Sequence, residues 1–350
     1  QAEDGIRDVE RSRGLGDVYK RQLLKISLIP LMLWIISTLV FILLRIAPGD
    51  PVDAILGSGA NEASRALLRY KLGLNESLLS QYLNYINDIL HLNFGESLST
   101  QEPVLNIILK SLPASLELGI FSIFFAILIG FPLGFLGLKN KGKKGDYIAR
   151  IIGISSYAIP PFWGAMLAQL IFSVYFRVFP IGGRFPIIHD QPQITGFLVL
   201  DSLLDNNLIF FRDSLYHLIL PSLTLGFLLS GIFSRSLRIN LDKTIKSDYV
   251  NAAFCRGITR RKIFLNHALP NALLPIVTIS GLTIASLAGG ALLFEVTFSW
   301  PGIALRLNEA ISQRDYTVVQ GIVIITSLLI VSLNIFVDIF IALLDPRIEY

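Results

Sequence analysis

Gly137-Leu-Lys-Asn-Lys-Gly142-Lys143 has the glycine and lysine spacing of a loop that cradles nucleotide phosphates. The chemistry fails one residue later. Lys144 stands where a Ser or Thr hydroxyl would hold magnesium, and the stretch follows an apolar run where a strand is required. A topogenic lysine cluster accounts for it better. Metal and redox chemistry are no better served: His91, His189, His217 and His267 have no ligand spacing, and the single cysteine, Cys255, excludes an internal disulfide and any multi-cysteine metal cluster. The sequence has no His-Glu-x-x-His motif, no paired mid-membrane aspartates and no buried Ser/His/Asp set, so neither a catalytic residue nor a cofactor is expected. His217 is expected to be packed and hydrogen-bonded, and the Asn75-Glu-Ser77 sequon matters only in a eukaryotic secretory pathway.

Two groups of residues keep functional interest. The first is the segment 235–270, whose centre reads Asp248-Tyr-Val-Asn-Ala-Ala-Phe-Cys-Arg-Gly257, then Ile258-Thr-Arg-Arg-Lys-Ile-Phe-Leu-Asn-His-Ala-Leu269-Pro270. Ala252 and Ala253 permit close approach of another backbone, Gly257 permits a turn that a Cβ would oppose, and Pro270 can start a helix without wasting a donor. Two short helices joined by a turn follow. Arg256, Arg260, Arg261 and Lys262 hold this element at a membrane surface, where it either docks a cytosolic partner or only obeys charge bias. The second group is the carboxylates near membrane depth, since a charge at a helix centre costs about 2.5–3.5 kcal/mol. Glu117, Glu295 and Asp338 flank apolar runs; each either lines a translocation path or reaches interfacial water.

The elements that would carry these residues are helices in a bilayer. Of 350 residues 53% are hydrophobic and 16% charged, and mean hydropathy is +0.61, too little polar surface for a compact soluble protein of this size. Six runs free of Asp, Glu, Lys and Arg are long enough to cross the hydrocarbon core: Ile26–Leu44, Leu118–Leu138, Ile151–Phe176, Ser214–Ser234, Ala268–Phe294 and Tyr316–Val337. They are too continuous for barrel strands, so an all-α polytopic protein with six transmembrane helices is predicted. Kinks are expected at Pro132, Pro160–Pro161 and Pro275, as packing irregularities or as hinges.

Lys and Arg set the orientation. Six fall in 1–25, five in 139–150, eight in 235–262 and one in the C-terminal tail, so alternating spans put twenty of the thirty on one side. Both termini and the loops 139–150 and 235–262 are therefore expected in the cytoplasm. The basic pI near 9.1 is thus a topology signal and not evidence for nucleic acid. Residues 1–22, with five acidic and five basic side chains and no apolar run, are expected to be a disordered or non-native tail. Transmembrane helix 1 is placed at 23–46, a small helical extracytoplasmic domain at 47–113 and the main transmembrane domain at 114–350. In the outer domain Asn61 can cap a helix ending at Gly73. Leu78, Leu79, Tyr82, Leu83, Ile86, Ile89 and Leu90 then make a helical stripe that packs on the bundle or holds a ligand. Trp300-Pro-Gly302 is expected to turn at the outer interface, with the indole as anchor.

The segment 248–270 resembles the EAA loop of ABC-importer permeases in the spacing of Ala252-Ala253, Gly257 and Leu269-Pro270, with Asn251 in place of the Glu and His267 in place of the usual Ile. Further motifs are similar to the first-permease subunit of dipeptide, oligopeptide and nickel importers: Ala47-Pro-Gly-Asp-Pro51, Leu72-Gly-Leu74, Gln81-Tyr82, Phe94-Gly-Glu-Ser97, Phe298-Ser-Trp-Pro-Gly302, Asp315-Tyr316, Gln320-Gly321 and Leu344-Asp-Pro-Arg347. The resemblance spans residues 23 to 350. It implies a multi-pass subunit of a bacterial inner membrane that forms half of a translocation path for a peptide or related small solute. It also implies a coupling helix between helices 4 and 5, with Tyr249, Asn251, Ala252, Ala253, Arg256, Gly257, Arg260, Leu269 and Pro270 in the coupling loop. The implied partners are a second homologous permease, two cytoplasmic ABC ATPase subunits where hydrolysis occurs, an extracytoplasmic solute-binding protein and membrane lipid. An ion-coupled secondary transporter is the alternative; it would show a repeated half and midplane ion ligands, and neither is found in the sequence.

Overall fold

The computed structural model describes residues 27–45, 52, 56, 61–71, 73–185, 194–288 and 291–344. The tail 1–22, Ala47–Pro51, Leu72, His189 and Asp345-Pro-Arg347 lie outside them. Among the described residues five helices are long and apolar enough to cross a membrane, and a bent pair makes a sixth if it counts as one span. They are α1 (Ser27–Arg45), α4 (Val104–Lys139), α8 (Leu208–Ile245), the run from α10 (Arg260–Ile263) into α11 (Leu269–Ala288), and α14 (Tyr316–Leu344). The bent pair is α5 (Lys144–Ala158) and α6 (Pro161–Ala168), the latter continuing through a wide π-type turn at Gln169–Tyr175.

The run Ile151–Phe176 is therefore not one helix: its two halves meet at 102°. Ile159 and Pro160 are extended, with ψ of 123° and 133°. A proline forces the residue before it out of the helical region, and Pro161, lacking an N–H, then starts the next helix at no cost in hydrogen bonds. At Pro132 and Pro275 the helices run on. The run Ala268–Phe294 is also divided, its last residues belonging to α12 (Leu292–Thr297). Several helices outrun their apolar cores, because backbone caps rather than charges end them. Thus α4 begins directly after Pro103, so the predicted domain boundary at 113 falls inside a helix.

The core of the bundle is a parallel pair, α4 and α8. A Cβ on Gly226 would meet the Ser122 carbonyl oxygen at 2.7 Å, and one on Gly130 would meet that of Ser230 at 2.7 Å, so the contacts advance together along both chains. Small residues let the backbones approach this closely in lipid. Gly130-Phe-Pro-Leu-Gly134 carries the signal in the sequence. Phe233 and Leu237 are fully buried beside Ala126 and Ile276, which brings α11 against the pair. In the first loop α2 (Glu62–Lys71) is capped by Asn61, whose Oδ1 accepts from Ser64 N at 2.8 Å, and α3 (Leu78–Leu90) is capped by Ser77. The α3 stripe packs partly on α1: the hydroxyls of Tyr82 and Thr38 lie 2.8 Å apart, and Phe41 touches the rings of Tyr82 and Tyr85.

Candidate functional site

The predicted pair of short helices forms. α9 (Asp248–Cys255) leads through Gly257, at φ +73°, into α10. No atom lies within 4 Å of where a Gly257 Cβ would be, so the backbone angle rather than space favours glycine there. The hairpin has its own small core: Val250, Ala253 and Ile263 are buried together, with Ile258 against them. Ala253 thus serves the hairpin's interior, while Ala252 and Asn251 are exposed. Tyr249 and Phe254, each 42% exposed, stand outside that core with Arg256, Arg260, Arg261 and Lys262. None of these four cations has an ion-pair partner among the described residues.

The hairpin is joined stiffly at both sides. Only Lys246 and Ser247 separate it from α8, and α10 passes without a break into α11 through a second π-type turn, Phe264–Ala268. Pro270 consequently lies inside a helix that began ten residues earlier at Arg260, not at a helix start. A proline lacks the N–H for the residue four back and its ring crowds that carbonyl, so the wider turn ahead of Pro270 relieves both problems. Leu269 is half-buried and Pro270 exposed.

Charges tie the neighbouring helix ends together. Lys141 Nζ lies 3.0 Å from Asp242, and Lys246 Nζ lies 2.9 Å from the same carboxylate, which raises the ammonium's pKa. Asp146 is buried against Arg150 at 3.0 Å and Arg238 at 2.9 Å, and also accepts from Gly142 N. In the phosphate-loop lookalike, then, an amide that would face a phosphate is turned to a carboxylate.

At the opposite end of the bundle Glu117 and Glu295 are buried, with hydrogen-bond donors supplied from within the protein. Glu117, 2% exposed, accepts from Arg184 Nη2 at 2.5 Å and from Val199 N at 2.9 Å, pinning α4 to α7 (Leu198–Leu204). Glu295 accepts from Ser115 Oγ at 2.6 Å, Ala304 N at 3.0 Å and Leu305 N at 3.1 Å. Ser115 Oγ accepts from Ile303 N at 2.8 Å. Since Gly302 has no side chain to cap α13 (Ile303–Ser312), Glu295 and Ser115 supply acceptors for its first N–H groups, with negative charge at the favourable helix end. Asp338 is half-buried near the end of α14.

Sequence reasoning missed a third carboxylate and misplaced a tryptophan. Asp315 accepts from Ser97 Oγ at 2.6 Å and from Val318 N at 3.2 Å, capping α14 and joining two of the quoted motifs. Trp300 is not an interfacial anchor. It is fully buried, donates from Nε1 to Ala114 O at 2.8 Å, and carries the Arg184 guanidinium 5.8 Å from its ring centre. The burial follows from that carbonyl, which gives the indole N–H a partner within the protein. His91 and His217 each place Nδ1 2.8 Å from a backbone carbonyl, of Asn87 and Asp213 respectively.

With this geometry in view, residues 122–350 match the family model described as binding-protein-dependent transport system inner membrane component, and residues 20–119 match the model of its N-terminal part. The di/tripeptide transport system permease protein DppB of Pseudomonas aeruginosa (strain UCBPP-PA14) is 36% identical over 316 residues, covering 90% of this chain and 94% of that one. The dipeptide permease DppB of Escherichia coli (strain K12) is 34% identical, with 90% and 94% covered, and the oligopeptide permease AppB of Bacillus subtilis (strain 168) is 32% identical, with 92% and 96% covered. Among solved structures, an inward-facing MetNI methionine ABC transporter chain superimposes with a TM-score of 0.52 at 16% identity, covering 70% of this chain and 99% of that chain, a likeness of fold.

Proposed function

Because the chain belongs to the inner membrane components of binding-protein-dependent transport systems and is a permease of ABC importers, we infer that it forms half of a translocation path for di- or oligopeptides. The relatives' names support that substrate class. In this reading the other half is a second permease, two cytoplasmic ATPase subunits grip the inner face and carry out hydrolysis, and an extracytoplasmic protein delivers the solute. The ion-coupled alternative gives way to family membership.

One observation carries the mechanism: the hairpin of α9 and α10 connects two spanning helices without a slack linker. A push on it is passed to α8 and α11 as a rigid-body displacement. Tyr249, Phe254 and the unpaired cations give a partner apolar and charged contacts, and the hairpin's own core keeps those contacts in fixed relation. The hairpin end is then cytoplasmic, as are both termini, and the buried carboxylates lie at the outer end. Glu117 and Glu295 brace that end, while Asp338 remains the candidate for the path itself.

The test is to make Gly257→Val and Ala253→Arg in the complete transporter and measure ATPase co-purification and ATP-driven peptide uptake. A left-handed β-branched residue costs about 1–2 kcal/mol, and about 1.4 kcal/mol is tenfold in an equilibrium. Roughly tenfold losses with normal permease levels are expected; wild-type values for both would remove the coupling assignment.

A further inference from the structure

Helix α3 has one more apolar face than the bundle uses. At a helical period its apolar residues occupy a single broad sector, and Ser80, Gln81, Asn84, Asn87 and Asp88 occupy the opposite one. Half of the apolar sector, through Tyr82, Tyr85 and Ile89, packs on α1 and the core beside α14. The other half does not: Leu79 is 68% exposed, Leu83 58% and Leu90 77%. The polar sector borders a cavity of about 260 Å³ that also touches Arg45 and Gln320. Water and lipid are thus offered different sides of the same helix.

The depth of α3 decides what covers the leucines. It meets α1 at Ser37, Thr38 and Phe41, with Tyr85 donating to Ser37 O at 3.3 Å. Arg45 ends the charge-free run of α1, and Thr38 lies seven residues before it, which is about 10 Å along a helix. The contact is therefore inside the level at which α1 leaves the hydrocarbon. The exposed face of α1 at this level is Leu39, Ile42 and Leu43, 53%, 45% and 63% exposed. Leu79, Leu83 and Leu90 are carried at this level too, on a helix held against α1 through Tyr82 and Tyr85. No Lys or Arg lies on α3, so apolar burial rather than anionic headgroups is the attraction.

We propose that α3 is an interfacial helix whose Leu79, Leu83 and Leu90 are immersed in the acyl-chain boundary of the bilayer leaflet next to Arg45. The helix then fixes the first loop against the membrane plane as well as against α1. This rests on α1 spanning the bilayer and not on the peptide or ATPase assignments, so the two readings fail separately. In the complete transporter, with Cys255→Ser as background, a nitroxide is placed by Leu79→Cys, Leu83→Cys, Leu90→Cys and, on the polar sector, Asn87→Cys. The protein is reconstituted in phosphatidylethanolamine–phosphatidylglycerol vesicles, and collisions with oxygen and with a water-soluble nickel chelate are compared. Oxygen is expected to dominate at the three leucine positions and the chelate at Asn87. Dominance of the chelate at the leucines would overturn the proposal. So would exclusion of both reagents there, which would put another protein surface on this face.

Discussion

At one end of the bundle Glu117, Glu295 and Asp315 are buried, and each accepts hydrogen bonds from at least two donors. At the other, Arg256, Arg260, Arg261 and Lys262 stand exposed around a core of four apolar side chains. A buried charge is tolerated only when its partners are fixed, and fixing them ties together segments far apart in the chain. An exposed cation leaves its partner to be chosen from outside. The first end is built to stay put, and in the proposed function the second is held by a partner. Loss of a side chain should therefore damage folding at the first end and assembly at the second.

The sharpest way to break this contrast is Glu117→Ala. It strands the buried Arg184 guanidinium and the Val199 N–H, and removing one member of such a pair costs about 3–5 kcal/mol. The thermal unfolding midpoint of the purified transporter should drop steeply; an unchanged midpoint would mean that this end is not braced by its carboxylates. Trp300→Phe keeps an aromatic ring but leaves a gap where the larger indole packed and Ala114 O without its donor, the unmet acceptor alone costing about 1–3 kcal/mol. A fall in the same midpoint, smaller than that of Glu117→Ala, is expected. Arg261→Gln should move it least, within about 0.5 kcal/mol, with any deficit confined to ATPase co-purification. A midpoint shift there as large as that of Glu117→Ala would erase the difference between the two ends.

The hairpin end was legible in the sequence because its determinants are local. Gly257, the paired alanines and the flanking cations lie within a dozen residues, and a turn at a positive φ needs only its own glycine. The other end was not. Glu117 and Arg184 are 67 residues apart, Ser115 and Glu295 180, and Ser97 and Asp315 218. In a linear reading each acidic residue is only a charge beside an apolar run, and its donors appear once the fold has brought them. The helix ends were underestimated for a related reason. A charge does not end a span here: α4 carries Glu117 within its buried face and α8 carries Arg238 to Asp146. The paired prolines predict a kink at Pro160–Pro161, but its 102° depends on two successive residues leaving the helical region.

The wide turn at Phe264–Ala268 sets a rotational phase. A regular helix turns about 100° per residue, and a π-type turn holds about one residue more than the ladder around it needs. Deleting a single residue between Phe264 and Ala268 would let the ladder close regularly. It would also turn α10 by about 100° around the axis of α11, against the two-residue link that holds the hairpin to α8, so that Tyr249 and Phe254 could keep their direction only by straining that link.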